Sequence, residues 1–249
     1  MKTYQIIEGL KQEYSAYTEE DFKVWQILFD RQYSQLTEFA DDYYLKGIKD
    51  IGFTADKIPD FNEVNERLIQ LTGWSIKVVP GIISQSDFFR MLAEKIFPSS
   101  TWLRSYEELD YLSEPDMFHD AFGHMPLLTN PVFCDFFQKM GKLGLKYIDE
   151  PKIIEKLGRI YWFTVEFGLI QRENVLKIYG AGIISSYGES KYSLSEAPIK
   201  KPYDILEVMN TDFDNTVIQE LYFVISSFEE LSESVQLAQA EFERLVNHA

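Results

Sequence analysis

Two of the three histidines in the chain fall within one short stretch, DMFHDAFGHMPLL, which runs from Asp116 to Leu128. His119 and His124 are five residues apart and lie among mostly apolar residues. Imidazole is the commonest metal ligand in proteins, so the pair predicts a metal site. Two histidines that merely cap or pack are the alternative. His248, next to the C-terminus, is expected to be solvated.

The spacing of the two histidines does not suit a regular α-helix, which would turn the second side chain roughly 140° away from the first. Gly123 is typical of a left-handed helix end, and Pro126 disfavours helix at the residue before it. We therefore expect His119 on the last turn of a short helix and His124 just beyond it, on chain that has turned back. The two imidazoles can then converge.

A third ligand is expected to be a carboxylate. The single cysteine, Cys134, excludes an intrachain disulfide and a cysteine-based zinc or iron–sulfur site. Glu166 lies in the apolar stretch YWFTVEFGL, where an acid without a partner is costly, and a metal is a natural partner. A salt bridge to Arg159 or Arg172 is the alternative. Two histidines and one carboxylate form the facial triad of non-haem iron(II) oxygenases, but zinc hydrolases use the same ligand types, and spacing does not decide between them.

Trp162 precedes Glu166 by four residues. Residues four apart are neighbours on a helical face, which predicts an indole beside the metal ligand. Such an indole suits stacking against a flat substrate ring, and a core tryptophan is the alternative of equal weight.

Composition limits the classes of partner. The formal net charge of −16 disfavours binding to nucleic acid and to anionic membranes, so small molecules or proteins are the expected partners. No run approaches the ~18 consecutive apolar residues of a membrane span, and the N-terminus does not resemble a signal peptide. A cytoplasmic location is expected. Without repeats or linkers, residues 1–249 are predicted to form a single domain.

The hydrophobic periodicity predicts a mostly α fold with minor β. The expected helices cover 20–47, 60–72, 86–97, a short segment from Pro115, 131–147, 151–173 and about 228–247. The expected strands cover 74–79, 175–179, 183–187 and 192–194. The last helix has a narrow apolar seam, which favours an amphipathic helix lying on the core. A coiled-coil stripe that forms a dimer is the alternative.

Three motifs together resemble the pterin-dependent aromatic amino acid hydroxylases, and most of all the bacterial members that act on phenylalanine. The motifs are SEPDMFHDAFGHMPLL, YWFTVEFGL and YGAGIISSYGE, and the resemblance extends over about 72–228. It implies a mostly helical catalytic domain in which His119, His124 and Glu166 hold one iron(II). It also implies a tetrahydropterin cosubstrate and O₂, with one oxygen atom entering the ring of L-phenylalanine to give L-tyrosine. Hydroxylation of tryptophan or of another ring position is the close alternative.

The resemblance also implies a pterin site. The matching segment is PGIISQSDFF, in which main-chain groups around Gly81, Ile83 and Ser84 would pair with the edge of the pterin. Phe88 would offer a stacking face. Asp120, next to the first histidine, would hold the pterin directly or through a water molecule; from the residues alone it could equally be a solvated acid.

The substrate site is implied in the same way. The matching residues are Arg104, Pro115, Asp116, Trp162, Ser185 and Ser186. Arg104 would grip the substrate carboxylate with two parallel hydrogen bonds, and Asp116 would hold that arginine in place. A plain salt bridge between Arg104 and Asp116 is the alternative, and both interpretations can hold together. Ser185 and Ser186 would add hydrogen bonds near the iron and the amino acid, while Pro115 and Trp162 would enclose the ring.

Two departures from animal members bear on regulation and specificity. The chain shows neither the long regulatory domain nor the tetramerisation tail, so a monomer is expected. Val224 matches the position at which tyrosine hydroxylases place an acid, and Trp162 matches a phenylalanine of tryptophan hydroxylases. Both residues favour phenylalanine as the substrate.

Overall fold

The computed structural model describes residues 3–110, 112 and 114–247, so His248 lies outside the described residues. The α-helices of the described chain are α1 (Glu19–Phe39), α2 (Asp42–Asp50), α3 (Phe61–Leu71), α4 (Gln85–Ala93), α5 (Pro131–Lys146), α6 (Pro151–Tyr161), α7 (Ala181–Ile184), α8 (Tyr187–Leu194), α9 (Ile205–Val208) and α10 (Phe228–Asn247). The strands are β1 (Ser75–Val78), β2 (Ile96–Ser99), β3 (Leu169–Arg172), β4 (Val175–Ile178), β5 (Ile199–Pro202) and β6 (Leu221–Ile225). The mostly α class with minor β is confirmed.

The single helix predicted over 20–47 is two helices, because the chain breaks between α1 and α2. Ala40 and Asp41 are extended, and the main-chain N–H of Asp41 donates to the carbonyl of Ile178 in β4. The Asp41 side chain then accepts from the N–H of Tyr43 and caps α2. The apolar spacing runs through the break, so periodicity alone does not reveal it.

Three other predicted elements are also wrong. The helix predicted over 86–97 ends at Ala93, and residues 96–99 form β2, which pairs in parallel with β1. Pro98 lies within β2, and this is tolerated because in a two-stranded sheet both strands are edge strands. The segments 183–187 and 192–194 were predicted as strands. The first covers the end of α7, the two residues after it and the start of α8, and the second lies in α8. Short apolar runs do not distinguish a strand from a buried helical turn. The helices predicted over 60–72, 131–147 and 228–247 are confirmed.

The four-stranded sheet follows the two π-helices described below. Its strand order is β4-β3-β6-β5, with β3 antiparallel to β4 and parallel to β6, and β5 parallel to β6. Parallel neighbours need crossover connections, and helices α7 to α9 supply them between β4 and β6. The sheet therefore places α7, and the loop that precedes β6, next to the candidate site.

Helix α10 packs on α5, and its apolar seam is covered by the chain itself. The seam residues Phe228, Leu231, Val235, Ala238 and Phe242 are buried, and Leu245 is half-buried against the same core. This confirms an amphipathic helix lying on the core. Within the described part of the chain, no helix is both long and apolar enough to cross a membrane.

Candidate active site

The two histidines lie on a π-helix, His119–His124, and not on either side of a helix break. A π-helix bonds residues five apart and holds more than four residues per turn, so side chains at i and i+5 face the same side. The helix continues directly into a 3₁₀-helix, Met125–Thr129, with Pro126 in its first turn. The predicted convergence is confirmed, whereas the predicted break and the left-handed cap at Gly123 are wrong.

Gly123 has a different role, which is to allow close packing. A Cβ atom at this position would lie 3.0 Å from the carbonyl oxygen of Ala181, at the start of α7. The π-helix and α7 are in direct contact. The glycine thus lets α7 approach the histidines.

Glu166 ends a second π-helix, Trp162–Glu166, which continues α6. The N–H of Phe167 donates to the carbonyl of Trp162 at 2.9 Å and closes the wide turn. The helix predicted over 151–173 therefore stops here, and β3 begins at Leu169. Gly180 packs against this end, because a Cβ atom there would lie only 2.4 Å from the Glu166 carbonyl oxygen.

The three predicted ligands meet at one point. Nε2 of His124 lies 3.2 Å from Nε2 of His119 and 3.2 Å from Oε1 of Glu166, and Nε2 of His119 lies 3.6 Å from Oε2 of Glu166. The ligand atoms all fall within 4.8 Å of one another, a spacing that one metal ion can bridge. The salt bridges considered as alternatives are not formed. Arg159 pairs with Glu155 and Asp212, and Arg172 pairs with Asp41.

Ser185 sets the tautomer of His119. Its Oγ donates to the carbonyl of Ala181 at 2.8 Å and lies 2.9 Å from Nδ1 of His119. The hydroxyl has one proton and gives it to the carbonyl, so it accepts from the Nδ1–H of the imidazole. Nε2 of His119 therefore carries the lone pair that a metal needs.

Tyr161 is a site residue that the sequence reasoning missed. Its ring lies 6.4 Å from that of His124, centroid to centroid, and its hydroxyl lies near the carboxylate of Glu166, five residues later in the chain. Burial, followed by the nearby Glu166 carboxylate, raises the pKa of Tyr161 well above its usual value, so the hydroxyl stays a donor. The sequence YWFTVE does contain a signal, because Tyr161 and Glu166 are five residues apart, as the two histidines are. This spacing becomes informative only once the turn is known to be π-helical.

The protonation states match metal binding. Burial alone would raise the pKa of Glu166, but the two nearby imidazoles and, after them, the Tyr161 hydroxyl lower it to about 2. Burial lowers the pKa of His119 to about 4, against the opposing effect of Glu166. Near pH 7 the carboxylate is ionised and the His119 imidazole is neutral, which are the forms that bind metal.

Arg104 and Asp116 form a buried bidentate pair. Nε and Nη2 of Arg104 donate to the two carboxylate oxygens, each at 2.9 Å. Asp116 also accepts from the main-chain N–H of Arg104 and from that of His119. The predicted pairing is confirmed, and it ties the arginine directly to the π-helix of the metal site. Pro115 is exposed next to Asp116.

The segment expected to bind pterin lies at the start of α4. Ser84 caps this helix, since its Oγ accepts from the N–H of Asp87 at 3.1 Å. Ile83 is buried, and Gly81 lies against the ring of Tyr4. Phe88 meets the ring of Tyr161 edge to face, with centroids 5.4 Å apart. Through Tyr161 the segment is thus adjacent to Glu166.

Three further predicted residues have described partners. Asp120 accepts from the N–H of Ser100 at 2.8 Å, and burial raises its pKa to about 7 despite that hydrogen bond. Ser186 caps α8 by accepting from the N–H of Glu189. Trp162 stacks on Phe213 and tilts against Phe167, the residue after Glu166.

A sequence profile described as biopterin-dependent aromatic amino acid hydroxylase matches residues 3–247. The chain belongs to this family. Phenylalanine-4-hydroxylase of Pseudomonas aeruginosa is 41% identical over 251 residues, covering 100% of this chain and 94% of that protein. The Ralstonia nicotianae enzyme of the same name is 44% identical, covering 91% and 72%. The crystal structure of Chromobacterium violaceum phenylalanine hydroxylase with bound oxidised Fe(III) superposes with a TM-score of 0.91 at 43% identity, covering 96% of this chain and 87% of that one.

The donor set of this hydroxylase fits a mononuclear iron ion. It consists of two imidazole nitrogens and one carboxylate oxygen, which are the donor types of the facial triad that leaves coordination positions open. Residues 119–124 and 162–166 supply these ligands from two π-helices, and α7 contacts both. The geometry thus brings together the three residues that the sequence predicted as ligands.

Proposed function

We propose that this hydroxylase converts L-phenylalanine to L-tyrosine with O₂ and a tetrahydropterin, at an iron(II) ion held by His119, His124 and Glu166. The observation that carries the proposal is the convergence of these three ligand atoms in a chain of the biopterin-dependent family. Relatives with 41–45% identity over most of the chain are named phenylalanine-4-hydroxylase. Val224 and Trp162 favour the same substrate.

When bound, the iron activates O₂ and the pterin supplies electrons for hydroxylation of the ring. The chain's own residues prepare the site for this chemistry. Ser185 keeps Nε2 of His119 free of a proton, and the Tyr161 hydroxyl lies near the Glu166 carboxylate. His124 is fixed by the ring of Phe97, whose centroid lies 4.9 Å from that of the imidazole.

Arg104 is the proposed anchor for the substrate carboxylate. A guanidinium can bind one carboxylate along one edge and a second along another, so pairing with Asp116 leaves further donors for the amino acid. Trp162 and Pro115 would enclose the aromatic ring, and Ser185 and Ser186 would contribute hydrogen bonds near the iron. Asp116 bonds to the main chain of His119, so the anchor and the iron ligand are held in one fixed relation.

The proposed pterin site uses Gly81, Ile83, Ser84, Phe88 and Asp120. Phe88 contacts Tyr161, whose hydroxyl lies near Glu166, so a ring stacked on Phe88 would lie close to the iron. The Asp120 carboxyl, one residue after His119, would accept hydrogen bonds from the pterin directly or through water.

We further propose a single catalytic domain over residues 1–249 that acts as a monomer in the cytoplasm. The burial of the α10 seam against the chain's own core supports the monomer. The net charge of −16 supports small-molecule partners and disfavours nucleic acid and membranes.

The test is turnover by the purified protein, loaded with iron(II) without oxygen and then mixed with aerated tetrahydropterin and each aromatic amino acid in turn. We expect tyrosine from phenylalanine, and only when pterin is present. Hydroxytryptophan as the main product would instead show that tryptophan is the preferred substrate. A zinc-loaded sample that acts as a hydrolase without O₂ or reductant would contradict the proposal that the chain is a hydroxylase.

A further inference from the structure

The indole of Trp162 lies between two aromatic rings. Phe213 stacks on it with centroids 4.4 Å apart and planes 12° apart, and Phe167 lies at 4.5 Å and 36°. Stacking of this kind defines the plane of the indole but constrains rotation within that plane only weakly. Phe213 is 39% exposed, so the outer side of the stack is open to solvent. The in-plane orientation of the indole needs a further contact.

Gln219 supplies that contact. Nε1 of Trp162 donates to Oε1 of Gln219 at 3.0 Å. The indole N–H can only donate, so the amide oxygen is the group that satisfies it. Nε2 of Gln219 donates to the carbonyls of Asp214 and Val217, at 2.8 and 2.9 Å. Both the oxygen and the nitrogen of the amide are thus hydrogen-bonded, and the residue is only 6% exposed.

The main chain at Gln219 is held as firmly as its side chain. Its N–H donates to Oε1 of Glu189 at 3.2 Å, and the hydroxyl of Tyr222 donates to the same oxygen. Glu189 is buried in α8, the helix that follows the Ser185 segment. Gln219 therefore cannot shift without breaking bonds to α8 and to the loop 212–219.

We infer that Gln219 is a positioning residue for the substrate ring, because it fixes the orientation of the Trp162 indole within the aromatic stack. This inference rests on the proposed role of Trp162 beside the substrate. A ring packed against a fixed indole presents one carbon to the iron, whereas a ring packed against a rotating indole presents several. Gln219 does not touch the metal ligands in the described contacts, so it acts through Trp162.

The hydrogen bond itself can be tested without any turnover. Protein labelled with ¹⁵N at the indole nitrogens gives one N–H resonance for each tryptophan, and Trp162→Phe identifies the one that belongs to Trp162. In Gln219→Leu we expect that resonance to shift and to exchange with solvent at least roughly tenfold faster, because the buried donor loses its acceptor. An unchanged resonance and exchange rate would overturn the inference.

The functional consequence is tested by a double-mutant cycle. We expect Gln219→Leu and Trp162→Phe each to lower kcat/KM for phenylalanine about tenfold and to lower the tyrosine formed per pterin oxidised. The KM for pterin should stay within about twofold. The double variant should be at most about twofold worse than either single variant, because both remove one interaction. Independent effects that multiply to about a hundredfold would overturn the inference.

A matched control separates positioning from simple destabilisation. Gln138→Leu also removes a glutamine side chain that bonds to the main chain, at the carbonyl of Ala93, in a different part of the fold. It should lower the thermal stability and leave the ratio of tyrosine to oxidised pterin unchanged. Equal uncoupling in Gln138→Leu would show that lost stability explains the result. Absence of tyrosine in the wild type would instead reject the proposed function, and the indole resonance would still be informative.

Discussion

The serine beside His119 provides a sharp test of how the site is prepared. Ser185→Ala removes the acceptor, 2.9 Å away, that holds the proton on Nδ1 of His119. The buried N–H then lacks its partner, which costs about 1–3 kcal/mol. The other tautomer, with the proton on Nε2, becomes competitive and blocks the atom that binds the metal. Outer-shell partners of metal-bound histidines typically contribute 10–100-fold in affinity or activity, and that range corresponds to about 1.4–2.7 kcal/mol.

The assay is an anaerobic titration of the metal-free protein with iron(II) in the presence of a competing chelator. We expect Ser185→Ala to bind iron 10–100-fold more weakly than the wild type, a loss of about 1.4–2.7 kcal/mol in binding free energy. Ser185→Thr, which keeps the hydroxyl, should recover most of the affinity.

Ser195→Ala is the matched control, because the Ser195 hydroxyl bonds only to main-chain groups at the exposed end of α8 among the described contacts. It should bind iron like the wild type. Wild-type affinity in Ser185→Ala would refute the assignment of the His119 tautomer.

Three other outcomes follow from the same geometry. Glu166→Gln should weaken iron binding and hydroxylation more than Ser185→Ala does, with an unchanged far-UV spectrum; full activity would refute the ligand assignment. Gly180→Ala should lower iron affinity as well as thermal stability, because its Cβ would lie 2.4 Å from the Glu166 carbonyl oxygen; equal iron affinity would show that this close contact does not position Glu166. In the metal-free protein, lowering the pH from 7 to 5 should lower the free energy of unfolding of the wild type by about 2 kcal/mol more than that of His119→Gln. The reason is that the unfolded histidine, with a pKa of 6.5, binds a proton in this range, whereas the folded His119, with a pKa of about 4, does not. Chemical denaturation of both proteins at the two pH values measures this difference, and a constant difference would contradict it.

The ligand set was predictable from the sequence, whereas the backbone that presents it was not. Two histidines five residues apart and one acid among apolar residues are local signals of composition and spacing. The π-helix is not a local signal, because its wide turn is less stable than an α-helical turn and persists only where tertiary contacts favour it. Here α7 supplies such contacts: its first residue, Ala181, meets Gly123, and Ser185, the residue that caps its C-terminus, meets His119.

The errors in the secondary structure have related causes. The run Ala181–Ile184 is short and apolar, so its buried helix α7 was predicted in part as a strand. The break at Ala40 follows from the pairing of Asp41 with β4, a contact between residues far apart in the chain. Long helices with a strong apolar face, such as α5 and α10, need no such contacts and were predicted closely.

The most direct test of the central claim combines iron stoichiometry with product formation. Metal-free protein is titrated with iron(II) without oxygen, and each sample then receives phenylalanine and oxygen, with or without tetrahydropterin. We expect tyrosine to rise linearly to one iron per chain, to level off there, and to form only with pterin. Tyrosine that does not depend on iron, or iron binding that is unchanged when His119, His124 and Glu166 are all replaced by alanine, would contradict a single iron centre built from these residues.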